Sequence, residues 1–466
     1  MRLLAVLMGL GMLASVELLL RLRGVSPGQE YAPPRLVHVL ENGRLTAEFQ
    51  ATSAPHFVAV GDHIETASAY AAGTGRGFPS GGSMRQERFS PQPAPGTRRY
   101  FLLGGSAAVG QNPINPRVPV SWETVDLANA VSALAPSLTI AGQLEALLPG
   151  AEVINAGMIA QDSGSVLQIA REVLSYGPDG LILYTGNNEG VGLAYGMQGE
   201  EVPLAPQVRS VLRELRLYRL LADRILLARQ SAASAQTIRA HGTQPHVLGQ
   251  MTLAHWQAAG RPLLDGDVPT DPVHAALQRR FAENIGQIVA AARAEGVAVY
   301  VLPTPPHLRY PPFFEGHDPS LSVRASRRFM RARQRLDAAV RSGDAAALDA
   351  ARDAVRLDPA HAHAHHALGE QHAARGEHAA ALSSLEAALA RDVSRKRSLP
   401  SYDAVISPQC VASEGCRHVD LHAALRAEAA EAGLGRYDQL FGDHEHLTPA
   451  GCAWVAGHAA ALIQLE

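Results

Sequence analysis

Four short apolar runs punctuate this chain: Tyr100–Leu103, Val153–Gly157, Gly180–Thr185 and Val297–Leu302. None alternates polar with apolar residues, so none can keep one face wet, and each is expected to be a strand buried on both faces. Between them lie stretches with helical periodicity: Leu138–Leu148 (Leu144, Leu147 and Leu148 on one face), Ser165–Tyr176 and Phe281–Glu295. Strands alternating with helices predict an α/β fold, a parallel sheet covered by helices on both faces. Ligands in such sheets bind beyond the carboxyl ends of the strands, which draws attention to the residues just past each run.

The chain has 466 residues, enough for two or three domains, and 47% of them are apolar, which excludes a disordered protein. A formal charge of −3 gives no reason to expect nucleic acid as a partner. Lys396 is the only lysine among 41 basic residues, so the arginine excess is a property of the whole composition. The segment Leu3–Leu20 is apolar apart from Glu17, close to the ~20 residues that span a bilayer. The nearest small pair, Ala14-Ser15, is followed at once by Glu17 and a leucine run and makes no convincing cleavage site, so residues 1–23 are expected to be an uncleaved membrane anchor, with a cleaved secretory signal as the close rival and a soluble core helix as the third reading. Three cysteines form no CxxC pair, and no zinc site is expected. Cys410 and Cys416 either close a small disulfide loop in an oxidising compartment or remain inert thiols.

Further boundaries follow from composition. Residues 24–97 are rich in Pro, Gly and Ser and are expected to be a linker with a few short strands, His56–Val60 among them. Residues 98–317 are expected to form the first part of the α/β core, with a polar insertion at 112–137 and a leucine-rich helical cap at 206–260. Residues 318–398 differ. Ala347, Ala351, Ala354 and Pro359 recur as Ala381, Leu385, Ala388 and Val393 at an offset of 34 residues, and Leu368-Gly369, Gly376 and Ala381 follow a small/large pattern. This resembles about two tetratricopeptide repeats, the first degenerate, forming an all-α insertion that must lean on the core or on a protein partner. Residues 399–466 complete the core, with a helix over Asp420–Gly433 and another over Pro449–Ile463 that Thr448 caps.

Four islands carry the chemistry: Gly104-Gly105-Ser106, Gly157, Gly186-Asn187-Asn188-Glu189 and Asp443-His444-Glu445-His446. A serine hydroxyl is a weak nucleophile near neutral pH and needs a base, an acceptor to orient that base, and donors aimed at the developing oxyanion. Ser106 offers the hydroxyl, His446 the base and Asp443 the acceptor. Gly157 offers an unobstructed amide and Asn188 a side-chain amide. Any one island alone is an ordinary turn or loop; their order, with the first three at strand ends, gives them weight.

Together these islands resemble the SGNH hydrolases of the GDSL lipase and esterase superfamily. FLLGGSAAVG (Phe101–Gly110) is similar to the first conserved block, VINAG (Val153–Gly157) to the second, GNNE (Gly186–Glu189) to the third, and DHEH followed by LTPAG to the fifth. The resemblance spans residues 99–315 and 400–466 and implies a flavodoxin-like three-layer sandwich. It implies Ser106, His446 and Asp443 as the catalytic residues, Ser106, Gly157 and Asn188 as the oxyanion hole, and neither metal nor cofactor. The superfamily's Gly-Asp-Ser is Gly-Gly-Ser here, with Gly105 in place of the Asp, and Glu189 stands where Asp is frequent.

The expected function is hydrolysis of an acyl or acetyl ester of a lipid, glycan or small molecule, by a protein tethered to a membrane and facing out of the cytoplasm. Two alternatives share the fold: an O-acetyltransferase acting on envelope polysaccharide, and an inert scaffold that binds a partner through the repeats. His361 and His365 have metal-ligand spacing on a helix, but no Cys or carboxylate completes a site, so His361, His363, His365 and His366 are expected on an exposed polar helix face. His444 is expected to stand beside the site, and Asp271, Asp318 and Asp392 to be surface residues or caps.

Overall fold

A computed structural model describes chiefly residues 55–67, 84–111, 134–189, 272–313, 321–392 and 397–465, with shorter stretches near 12–23, 35–50 and 263–270. At its centre is a five-stranded parallel sheet: β1 (Arg98–Gly104), β2 (Ala151–Asn155), β3 (Gly180–Thr185), β4 (Ala298–Pro303) and β5 (Cys416–His418). The spatial order is β2-β1-β3-β4-β5, all neighbours parallel. The order reverses between β1 and β3, where a doubly wound sheet opens a crevice at its carboxyl edge. Ser106 follows β1 and Asn188 follows β3, so the topology alone sets these two islands side by side.

The four apolar runs became β1 to β4 because both faces are covered. Tyr100 and Leu102 point to one core with Ile182, Tyr184, Tyr300 and Leu302, while Phe101 and Leu103 point to the other with Leu181, Leu183, Val299 and Val301. The first core is closed by α2 (Ile140–Leu147), α10 (Leu421–Ala432) and α12 (Pro449–Ile463), and the second by α3 (Ser163–Val173), α4 (Pro272–Ala294) and α9 (Ser401–Val411). Leu144 and Leu148 are buried as expected, but Leu147, the last residue of α2, is exposed. Thr448 caps α12 as expected, accepting from Gly451 N at 3.1 Å.

Part of the expected linker is core. Phe57 and Phe89, on two short strands of a three-stranded antiparallel sheet, stack edge-on against Phe101 and Tyr176. Glu172 of α3 accepts from the amides of His56 and Phe57 at 2.9 and 2.8 Å, tying this sheet to the second core. Cys410 at the end of α9 and Cys416 at the start of β5 are joined as a disulfide. Most of the apolar run Leu3–Leu20, the insertion 112–133 and the cap 206–260 lie outside the described residues. No described helix is long and apolar enough to cross a membrane.

Between β4 and β5 four helices pack in sequence: α5 (Val323–Ser342), α6 (Ala347–Leu357), α7 (Ala362–Ala373) and α8 (His378–Arg391). The histidine cluster is not an exposed face. His361 is the buried N-cap of α7, accepting from Ala364 N, and buried His365 donates through Nε2 to the Pro359 carbonyl. These rings complete backbone hydrogen bonds at a helix start, where four amides otherwise lack partners. No group able to hold a metal occurs among the described residues. Asp392, expected at the surface or as a cap, is the C-cap residue of α8 and is buried; its carboxylate pairs with Arg397 at 3.2 Å and accepts from the Phe313 amide at 2.9 Å.

Candidate active site

β1 and β3 approach closely where Gly104 meets Tyr184; a Cβ on Gly104 would stand 2.0 Å from the Tyr184 carbonyl oxygen. That contact lets the chain turn directly from β1 into the short helix α1 (Ser106–Val109). Ser106 is its first residue, so its amide belongs to the helix-start amides that have no intrahelical acceptor.

Ser106, buried at the floor of the crevice, meets a ring from the far end of the chain. His446 Nε2 lies 2.9 Å from Ser106 Oγ, and His446 Nδ1 lies 2.7 Å from Asp443 Oδ2. All three side chains are buried. Burial opposes ionisation of Asp443, but the His446 hydrogen bond and charge outweigh it and hold the carboxyl well below the ordinary carboxylate range. An ionised carboxylate only accepts, so the imidazole proton sits on Nδ1 and Nε2 is free to accept from the serine hydroxyl. For His446, burial lowers the pKa, yet the Asp443 hydrogen bond, its charge and that of Glu445 prevail and raise it above the ordinary imidazole value.

The loop that carries this pair is tied down by its own acid. Asp443 Oδ1 accepts from the amides of Glu445 and His446 at 2.9 and 2.7 Å, so one carboxylate orients both ring and backbone. From below, His307 Nδ1, just past β4, donates to the Asp443 carbonyl at 2.7 Å while its ring stacks on Tyr437 and Phe441. His444 stands beside Glu445 and against Phe313 and Tyr310.

Asn188 is held by its neighbours on both sides. Asn187 Nδ2 donates to Glu445 Oε2 at 2.7 Å, linking the β3 tip to the histidine loop. Glu189 accepts from the amide and hydroxyl of Ser163, both at 2.8 Å, at the start of α3. Between these anchors the buried Asn188 Nδ2 has no hydrogen-bond partner. It points to Gly105, where a built Cβ would lie 2.3 Å from it. The missing side chain at Gly105 thus leaves the space that the Asn188 amide occupies.

Gly157 departs from expectation. Its amide donates to Asn155 Oδ1 at 3.1 Å, and Asn155 Nδ2 donates to the Ala108 carbonyl at 2.9 Å. A Cβ at Gly157 would meet Val109 N at 2.8 Å, so a glycine is needed for the β2 tip to lie against α1. An oxyanion would have to displace Asn155 Oδ1 to use this amide. Among the described residues, two open donors remain at the turn that carries Ser106: its own amide at the start of α1 and Asn188 Nδ2, which faces Gly105.

The sequence reading missed Asn155, His307, Ser163 and the role of Glu445. Asn155 carried a signal, as a polar residue in an otherwise apolar strand end. His307 lies just past the fourth apolar run, where ligands and site residues gather. Glu445 and Ser163 carried none, because their partners are 258 and 26 residues away.

The arrangement can do one thing plainly: take a proton from a hydroxyl and offer donors to an oxygen bonded to the carbon that hydroxyl attacks. No protein-family model matches this chain, and no curated protein matches it.

Proposed function

We propose that this chain is a serine ester hydrolase of the SGNH type. The observation that carries the reading is the continuous line Ser106 Oγ, His446, Asp443 at 2.9 and 2.7 Å, with the unpartnered Asn188 amide beside it. Ser106 attacks the acyl carbon as His446 takes its proton, and the oxyanion is met by Asn188 Nδ2 and the Ser106 amide. His446 then protonates the leaving alkoxide, and water releases the acyl group by the reverse path. The switch-point sheet order and the location of three islands at strand ends favour the same assignment.

Gly105 does not argue for an inert scaffold, because its missing side chain accommodates an oxyanion donor. Gly105→Asp is expected to displace the Asn188 amide and lower kcat about 10²–10³-fold, the usual effect of losing one oxyanion donor, with little change in KM. An undiminished kcat would mean that Asn188 does not act from this position.

The repeat-like character of residues 318–398 is part of the proposal. The 34-residue partners Ala347 and Ala381, Ala351 and Leu385, and Ala354 and Ala388 are all buried, and Gly369 approaches Leu385 so closely that a Cβ would meet Cγ at 2.7 Å. The insertion leans on the core as a two-repeat segment must: Arg309 pairs with Glu370 of α7 at 2.7 Å and with Asp438. The Cys410–Cys416 disulfide favours an oxidising, extracytoplasmic setting, and residues 1–23 would tether the chain to the membrane.

The purified full chain should hydrolyse p-nitrophenyl acetate and be labelled by a fluorophosphonate at Ser106. His446 must be neutral to act as base, so the rate should fall as pH drops through its raised pKa. The acid limb should therefore lie above the ordinary imidazole value of ~6.5. Failure of both hydrolysis and labelling would end the proposal; a limb below that value would exclude the Asp443-assisted base.

A further inference from the structure

Helix α5 carries seven arginines and a single acidic residue, Asp337. Arg324, Arg327, Arg328, Arg331 and Arg335 are all exposed. At 3.6 residues per turn they fall in one stripe roughly 100° wide and about 16 Å long. Like charges at i,i+3 and i,i+4 spacing repel one another, so the stripe is unfavourable for the helix in isolation. Arg324, Arg327, Arg328 and Arg331 form no ion pair among the described residues, and Arg335 reaches Asp353 only at 3.6 Å on the open surface. The arginine-rich composition does not explain this: on the next helix, Arg352 and Arg356 each pair with an aspartate three residues back, at 3.3 and 2.9 Å. Positive charge is segregated on α5 in a chain whose net charge is −3.

Apolar side chains lie along one flank of the stripe. Val323 is 72% and Met330 49% exposed, while Phe329, Ala332 and Leu336 on the inward side are buried. An exposed cationic row beside exposed apolar residues is the pattern of a helix that lies in a membrane interface. Guanidinium groups also suit phosphate, which they can grip with two parallel hydrogen bonds. We propose that this face of α5 docks on a bilayer containing anionic phospholipid, laying the helical insertion along the membrane. The apolar run Leu3–Leu20 of the same chain would keep such a surface within reach. A row of exposed charge about 16 Å long on one helix face fits a sheet of headgroups better than an acidic protein, whose few carboxylates would need matching sites.

The test uses the full chain in vesicles, with Met330→Cys carrying an environment-sensitive fluorophore. Labelling is selective, because Cys452 is buried and the other two cysteines are bonded to each other. The emission should shift to the blue in phosphatidylcholine vesicles containing phosphatidylglycerol and not in pure phosphatidylcholine. The shift should vanish near 1 M salt, where the screening length is ~3 Å. In a background with Arg324→Gln, Arg328→Gln, Arg331→Gln and Arg335→Gln it should be absent at moderate anionic lipid content, each arginine contributing roughly fivefold to binding. An unchanged melting temperature for that variant shows that the fold is intact. Equal emission in both vesicle types overturns the proposal, as does a shift produced by soluble polyglutamate but not by phosphatidylglycerol, which would assign the stripe to an acidic protein. The hydrolase reading plays no part in this test, so either can fail alone.

Discussion

Ser106→Ala is expected to remove ester hydrolysis, lowering kcat/KM by a factor on the order of 10⁴–10⁶, with the melting temperature nearly unchanged. Among the described residues, the hydroxyl is the only group that His446 Nε2 meets at hydrogen-bond distance, at 2.9 Å. The variant loses one oxygen and leaves no charge unpaired. His446→Ala should be about as damaging, and the double variant hardly worse, because residues that act as one unit do not add. The Asn188 amide and the Ser106 backbone would survive both changes, so some rate above the uncatalysed one should remain. The measurement is steady-state hydrolysis of p-nitrophenyl acetate beside a thermal melt. A Ser106→Ala protein that kept its rate would remove the nucleophile from the mechanism.

Asp443→Asn should lower kcat by about 10⁴-fold while leaving the loop in place. The Asn Oδ1 can still accept from the amides of Glu445 and His446, now at 2.9 and 2.7 Å. The other end of the side chain would become a donor. It would then face His446 Nδ1 only if that nitrogen gave up its proton, which would leave the proton on Nε2, where it blocks acceptance from Ser106. The pH profile distinguishes this from simple misfolding. Asp443 supplies the hydrogen bond and most of the charge that raise the His446 pKa against burial. Without it burial prevails, so the acid limb of the residual activity should move to lower pH. A large rate loss with an unmoved limb would show that Asp443 acts on the loop and not on the ring.

Much of this site was legible because its parts lie at ends of elements that announce themselves locally. A mainly apolar run of four to six residues that stops at Gly104, Gly157 or Gly186 shows both the strand and the place where chemistry can sit. The Thr448-Pro449 start of α12 was equally clear, since capping and proline geometry depend on adjacent residues. Misses arose where a side chain's role depends on what packs over it. Leu147 matched the apolar face of α2 in period, yet that helix ends one residue before the buried Leu148. The His361–His366 cluster looked like a solvated face, and the α6–α8 packing buried two of its rings as backbone acceptor and donor. The Gly157 amide looked open, and Asn155, two residues away, closes it.

By itself the amino-acid order determined the α/β class, the strand ends and the residue types available for acyl chemistry, because periodicity, capping and turn preference act over a few residues. Only the tertiary structure decided which of them meet. The reversal between β1 and β3 sets Ser106 beside Asn188, and α12 packing on the first core returns His446 to a hydroxyl 340 residues earlier. The tertiary structure also turned the missing side chain at Gly105 into room for an amide donor. Contacts across such separations depend on how whole layers pack, and no local pattern encodes them.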